Sequence, residues 1–291
     1  MKRTRFDYYT PDSVENACKL LVELGDGAYV MAGGTDLLVK IHRGVLKAKA
    51  LVDIKKIEGI DGISYTKGKG LTIGAMARLT DVGEHPDIKA KFPAISKAAL
   101  CTANTQIRNM GTVTGNLCNA APSADNAPAL MTMGAVLNLK CLEGEREVPL
   151  GDFFKGPGMT VIKKGELVTS IFVPDPPKGA GTSYQYLSAR GKVDIASVCV
   201  GATVIMDGDV CKDAKIVLGA VAPVPMRAKD AEKVVIGHKL STEILERLGL
   251  TASKESMPIT DMRSTAEYRK ILVAVLSARA IEEAAKNASK K

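Results

Sequence analysis

Three prolines and two glycines fall within ten residues at 174–183 (PDPPKGAGTS). Such a stretch neither continues a helix nor sits inside a sheet, so it reads as a linker that cuts the chain in two. The 291 residues leave enough chain on each side for a separate core, and the expected division is 1–175 and 182–291. Ahead of the break, Val14, Ala17, Leu20, Leu21 and Leu24 recur at helical spacing and stop at Gly25 and Gly27. A strand-length run from Tyr29 to Ala32 ends at once in Gly33-Gly34-Thr35-Asp36, and a helical stretch follows over 37–42. Residues 51–54 read as a short strand, 62–75 and 135–150 as hairpins, 93–101 and 127–134 as helices, and 166–174 as the last strand before the break. Beyond it, 194–206 is expected as a long alternating strand and 210–221 as its hairpin partner. Helices follow over 226–237, 241–249 and 265–287. Strands followed by helices make this second part α+β.

Composition excludes several classes. With 46% apolar and 25% charged residues the chain is an ordinary globular protein, neither disordered nor collagenous. No apolar run approaches the roughly 18 residues of a membrane span. The start, MKRTRFDYYTPD, lacks the apolar stretch of a secretory signal, so a cytoplasmic protein is expected. The net charge of +8 raises nucleic acid as a partner, but the bases are spread, with one modest concentration from Lys40 to Lys56, aromatics make up 4% and there is no Trp. Stacking platforms are therefore scarce, and no nucleic-acid binding is expected. Cys18, Cys101, Cys118, Cys141, Cys199 and Cys211 form no CxxC pair, and His42, His85 and His238 lie far apart. Neither a metal site nor a disulfide is expected. GxSxG, HExxH and Walker motifs are absent as well, so no catalytic acid–base set stands out. The residues describe a cofactor-binding scaffold.

Residues 104–126 (NTQIRNMGTVTGNLCNAAPSADN) are rich in Asn, Gly, Thr and Ser and poor in charge. A loop of that length inside a domain is usually functional or disordered, and the small apolar residues spaced through it argue for a buried, ordered one. Gly33 and Gly34 let the backbone approach a bulky anion, and free N–H groups of the helix that follows can bind phosphate. The turn Gly111-Thr112-Val113-Thr114-Gly115-Asn116 offers small side chains, hydroxyls and open N–H groups. Asp125 can accept a hydrogen bond from a ribose or a neighbouring hydroxyl; alternatively it caps the helix beginning near Asn126. Neither turn fits G-x-G-x-x-G, and each alone is compatible with a plain turn.

Taken in order, AGGTDLL at 32–38, TIGA at 72–75, QIRNMGTVTGN at 106–116 and SADNAP at 123–128 resemble one family, the FAD-binding medium subunit of the molybdenum hydroxylases. Xanthine dehydrogenase and aerobic carbon monoxide dehydrogenase belong to that group. Further matches are FFKGPGMT at 153–160, ELVTSIFVP at 166–174, the Arg190…Asp194-Ile195-Ala196 cluster and GAVAPVPMRAKDAE at 219–232. The resemblance covers about 4 to 285, leans toward the xanthine dehydrogenase branch, and lacks the iron–sulfur insertion of the 4-hydroxybenzoyl-CoA reductase type. It implies a two-subdomain FAD-binding domain of the vanillyl-alcohol oxidase type (about 1–57 and 58–175) and a small α+β C-terminal domain with a short antiparallel sheet and helices.

The resemblance also implies roles. Tyr29, Val30, Met31, Ala32, Gly33, Gly34, Thr35 and Asp36 would run along the FAD pyrophosphate, and Gly111, Thr112, Val113, Thr114, Gly115 and Asn116 would form a second phosphate and ribitol loop. Asp125 would hold a polar group of FAD, and Leu167 or Val168 would touch the flavin or adenine edge. Tyr186 falls where relatives often place a lysine, for which Lys192 could substitute, and Ile195 where some place an aromatic. Thr114 replaces the first of two glycines in the usual T-x-G-G-N loop, so a shifted loop is expected. Electrons would arrive from [2Fe–2S] centres of a small subunit, released by a molybdenum cofactor on a large molybdopterin-binding subunit, and would leave to NAD+ or another acceptor. The substrate implied by the branch is a purine such as xanthine. The loop over 104–124, with Arg108 at its start, is expected to face the iron–sulfur subunit or else to wrap FAD. The rival readings are a flavin-free assembly scaffold and a stand-alone flavoprotein of the vanillyl-alcohol oxidase type.

Overall fold

The computed structural model describes residues 5–191 and 194–289. Strands β1 (Asp7–Tyr9) and β2 (Ala28–Met31) flank β3 (Ala50–Asp53) in a parallel sheet. Parallel pairing needs crossovers. Helix α1 (Val14–Leu24) supplies the first, capped by Ser13, whose hydroxyl accepts from the Asn16 amide. It buries Ala17, Cys18 and Leu21 against Val52 and Ile54. Helix α2 (Leu37–His42) follows the Gly33-Gly34 turn at the end of β2.

A second sheet starts with the hairpin β4 (Ile63–Thr66) and β5 (Gly70–Gly74). Helices α3 (Leu79–Glu84), α4 (Pro86–Lys91), α5 (Pro93–Cys101), α6 (Thr105–Arg108), α7 (Val113–Cys118) and α8 (Asn126–Thr132) intervene. The hairpin β6 (Val136–Cys141) and β7 (Gly144–Pro149) comes next, then α9 (Leu150–Phe153), the short pair β8 (Phe154–Gly156) and β9 (Met159–Thr160), and finally β10 (Leu167–Pro174). Strand β10 inserts between the hairpins, antiparallel to β5 and β6, giving the order β4-β5-β10-β6-β7. Leu71, Ile73, Leu137 and Ile171 of this sheet share one core with Ile88, Phe92, Ile95 and Leu130 of the helices.

The segment 104–126 differs from the single long loop expected. Asn104 Oδ1 accepts from the Ile107 amide at 2.8 Å, Thr112 Oγ1 accepts from the Gly115 amide at 2.9 Å, and each starts a short helix. The Asn and Thr residues that suggested loop act as caps, the position such side chains favour.

Beyond the break lies the antiparallel sheet β11 (Ala180–Ser188), β12 (Ala196–Asp207), β13 (Val210–Gly219) and β14 (Met226–Arg227), followed by α10 (Lys229–Val235), α11 (Thr242–Glu255) and α12 (Ala266–Ala288). Strand β11 begins at Ala180, so the connection between sheets is shorter than the composition of 174–183 suggested. The expected alternation of 194–206 fails too: the first seven residues of β12 are all buried. Both faces of the sheet are covered. A Cβ on Gly181 would lie 2.0 Å from Ala284 O of α12, and one on Gly201 would lie 2.5 Å from Pro128 of α8. The second contact makes Tyr184, Cys199 and Ala220 part of the core under α5 and α8. Helix α11 runs past its expected end at 249. Gly249 sits within it because a Cβ there would meet Ala274 O of α12 at 2.4 Å, so the glycine marks a helix crossing. No helix among the described residues is long and apolar enough to cross a membrane.

Candidate cofactor cleft

The end of β2, the 102–125 segment, the start of β10 and the Asp194-Ile195 pair enclose a cleft of about 570 Å³. That lies within the roughly 300–1,000 Å³ of small-molecule and cofactor sites. From the first turn Tyr29, Val30, Ala32, Gly33, Gly34, Thr35 and Asp36 line it. Gly111, Thr112, Thr114, Gly115, Asn116 and Asp125 line it from the second segment, with Leu167, Val168 and Ile195 from beyond. Met31 and Val113 turn into the cores on either side and do not. Tyr186 stands behind the wall, packed on the core, with its hydroxyl donating to Asp194 O. Burial pushes the Tyr186 phenol up to about 12. Lys192 lies outside the described residues.

The two glycines of the first turn do different work. Gly34 has φ +72°, a left-handed conformation that favours glycine, and its carbonyl accepts from the Leu38 amide to open α2. A Cβ on Gly33 would lie 2.1 Å from Met110 O and 2.8 Å from Gly111 Cα. Gly33 therefore makes room for the second loop, whereas room for an anion was expected of it. Backbone meets backbone there, and the two turns form one continuous wall. Leu79 N donates to Gly111 O at 2.9 Å, which ties that wall to α3.

Thr114 is the second residue of α7. A β-branched residue is tolerated in a helical backbone, so glycine's freedom is not what this position needs. Thr114 Oγ1 is buried without a partner. Asp125 stands where a cap would, but its backbone is already helical (φ −56°, ψ −32°) and its side chain makes no capping bond. Asn116 does that job: its Oδ1 accepts from Asn126 N at 3.4 Å and Asn126 Nδ2 at 3.1 Å. Asp125 Oδ1 is left buried and without a partner, and burial pushes the carboxyl up to about 7.

The other charged groups around the cleft are mostly committed. Glu166 accepts from Arg146 at 2.6 and 2.8 Å and from the Lys163 amide at 2.6 Å. Arg190 holds Asp194 at 3.0 and 3.1 Å, and that contact keeps the carboxyl below its usual range. Arg108, in a loop expected to face a partner or to wrap FAD, donates to Thr102 O, Ala103 O and Thr105 Oγ1 of that loop. It thereby pins Ala103, a cleft residue with φ +48°. Thr102, Ala103, Lys40 and Asn119 line the cleft although no motif in the sequence assigns them a role there. An alanine at positive φ leaves no trace in composition, nor does a lysine in the last turn of a helix.

Glycine-bearing turns, apolar walls at Ile54, Leu79, Leu167 and Val168, and unpartnered buried oxygens on Thr114 and Asp125 fit a large ligand that is part apolar and part hydroxylated, as FAD is. The comparisons agree. The family described as "FAD binding domain in molybdopterin dehydrogenase" matches residues 4–176, and that described as "CO dehydrogenase flavoprotein C-terminal domain" matches 182–284. The carbon monoxide dehydrogenase medium chain of Afipia carboxidovorans is 35% identical, over 96% of each chain. The glyceraldehyde dehydrogenase medium chain of Sulfolobus acidocaldarius is 34% identical, over 96% of this chain and 98% of that one. Identity to the xanthine dehydrogenase FAD-binding subunit of Escherichia coli O157:H7 is 28%, over 95% of each. Among solved structures, a reconstituted CO dehydrogenase from Oligotropha carboxidovorans superposes with a TM-score of 0.94 at 34% identity, over 99% of this chain and 100% of that one. The chain belongs to the FAD-binding medium subunits of the molybdenum hydroxylases and is a flavoprotein of the oxidoreductase class.

Proposed function

We propose that this chain carries FAD between the iron–sulfur centres of a partner subunit and a terminal acceptor such as NAD+, within a complex whose large subunit holds the molybdenum cofactor. The observation that carries the reading is Asp125: a buried carboxylate oxygen with no partner, on the wall of a cleft built by both glycine-bearing turns. FAD, when bound, supplies the exchange between one-electron and two-electron steps. The chain's own part is to bind, orient and shield. The turn at 34–36 faces the pyrophosphate, and Thr114 and Asp125 meet polar groups of the cofactor. Ile54, Leu167 and Val168 pack on its rings, and Ile195, 46% exposed, borders the open side. The flavin unit is 1–175, in subdomains of about 1–57 and 58–175, and the C-terminal unit is 182–291. Six free cysteines among the described residues support a reducing, cytoplasmic setting.

Substrate choice belongs to the large subunit. Carbon monoxide and glyceraldehyde dehydrogenase medium chains match at higher identity than the xanthine dehydrogenase subunit, so the branch argument for a purine loses its support. Full-length similarity to medium chains supports a subunit over a stand-alone oxidase.

The test is purification followed by reconstitution. The full chain should retain about one FAD after desalting and reduce no dye with any substrate by itself. Turnover should return only with the two further subunits. A colourless chain that takes up no FAD would leave the flavin-free scaffold, and substrate oxidation by the chain alone would contradict the subunit reading.

A further inference from the structure

Charge limits where the anionic part of a ligand can rest in this cleft. Four carboxylates line it, Asp36, Asp125, Glu166 and Asp194, and among the described residues Lys40 is the one lysine or arginine that does. Glu166 and Asp194 have guanidinium partners outside the lining. Lys40 is different. The one partner its ammonium has among the described residues is Asn119 Oδ1, a neutral acceptor. A lysine beside several carboxylates that pairs with none of them keeps its charge available to a ligand.

The position of that charge is fixed from two sides. Asp36 stands at the N-cap position of α2, four residues before Lys40, and both line the cleft. Its carbonyl accepts from the amides of Val45 and Leu46 at 2.9 and 3.2 Å, which holds the backbone from which the side chain extends. At the other end, Asn119 closes α7, its amide bonded to Gly115 O and Leu117 O, and draws the ammonium toward the second loop. An ammonium has three donors, so one bond to Asn119 leaves two.

We propose that Lys40, aimed by Asn119, reads the diphosphate of the bound dinucleotide and makes this chain select FAD over flavins that lack a diphosphate. The inference rests on the FAD reading above. The apolar contacts and Asp125 cannot make that selection: Leu167, Val168 and Ile54 meet apolar surface, and the Asp125 carboxylate repels an anion; the turn at 34–36 brings backbone amides to the diphosphate but no cationic side chain. Asp36, at the N-cap of α2, is the nearest competitor for the ammonium in sequence, and the ammonium's bond goes to Asn119.

The experiment titrates the full-length apo chain with FAD and, separately, with riboflavin, at low and at moderate salt, following flavin fluorescence. Wild type, Lys40→Met, Lys40→Arg and Asn119→Asp are compared. Lys40→Met should weaken FAD about tenfold to a hundredfold, the loss of a charge-assisted bond, and leave riboflavin within about twofold. The salt dependence of FAD binding should flatten in the same variant, because the screened charge is gone. Lys40→Arg should recover most of the FAD affinity. Asn119→Asp keeps Lys40 but gives it an ionic partner, and should weaken FAD while sparing riboflavin. Equal weakening of FAD and riboflavin in Lys40→Met would make Lys40 a structural residue and overturn the proposal. An unchanged FAD affinity overturns it too, leaving the FAD reading intact. A wild-type chain that binds neither flavin refutes the FAD reading itself, and this inference with it.

Discussion

Two buried carboxylates, Glu232 on α10 and Asp125 at the head of α8, are treated in opposite ways by the same chain. Glu232 is 4% exposed and fully partnered: Oε1 accepts from Ile216 N at 2.9 Å and Arg227 Nε at 3.0 Å, and Oε2 from the same guanidinium at 2.6 Å. Asp125 is 9% exposed, and its Oδ1 accepts from nothing. Buried polar groups in folded proteins are nearly always paired, so the paired one is architecture; the bare one lines the cleft, and the proposed reading has the cofactor complete its network. The flanking elements agree. Arg227 clamps β14 onto α10 through Glu232, whereas Asn116 has taken over the capping of α8 and released Asp125 from it.

Asp125 should give the largest effect, and it depends on pH. Its folded pKa, about 7, lies above the usual 3.8, so the folded apo chain prefers the protonated form. The penalty is absent near pH 4, grows as pH rises from about 4 to 7, and is complete above 7. It amounts to at most about 4 kcal/mol. Asp125→Asn should therefore stabilise the apo chain toward urea at pH 8 and change little at pH 4. An equal effect at both pH values would show that the Asp125 carboxyl keeps an ordinary pKa and carries no burial penalty, and a loss of stability at pH 8 would show that it is paired. Flavin affinity should move the other way, falling about tenfold to a hundredfold in the same variant.

Arg227→Met should do the reverse of Asp125→Asn. It leaves the Glu232 carboxylate with the Ile216 amide as its one remaining donor and should cost about 2–3 kcal/mol in urea unfolding, discounted from the usual loss for a broken buried pair because Arg227 is 39% exposed. FAD affinity should be unchanged, and a variant that loses flavin while keeping its stability would collapse the contrast between the two carboxylates.

Thr114→Val should give the smallest change. It replaces an unpartnered hydroxyl with a methyl of similar shape. The apo chain should gain up to about 1 kcal/mol while FAD weakens less than about tenfold. A loss of apo stability would mean that the hydroxyl already has a partner.

Part of the site was legible in the sequence, for identifiable reasons, although the contrast between Glu232 and Asp125 was not. The turn at Gly33-Gly34 and the strand before it were readable because a strand ending in two glycines has few other uses. The role of Gly33 was not readable, because the Met110 carbonyl that needs the space is 77 residues away in the chain. Gly249 misled for the same reason, as a helix contact that looks like a stop until α12 is in place. The polar composition of 104–126 suggested loop where Asn104 and Thr112 cap short helices. Lys40 stood out only as the first of a modest concentration of bases, with no role attached. Its significance comes from the carboxylates and the single amide that the fold gathers around it.

The most direct measurement of the central claim is proton release on FAD binding. The apo chain binds FAD at pH 6 in a calorimeter, in two buffers of different ionisation enthalpy. At that pH Asp125 is largely protonated in the apo chain, since its pKa stands at about 7. A cofactor that donates a hydrogen bond to the carboxylate drives the proton off. The account predicts release of close to one proton by the wild type and none by Asp125→Asn, whose FAD affinity is also lower. Equal proton release and equal affinity in the two proteins would contradict it.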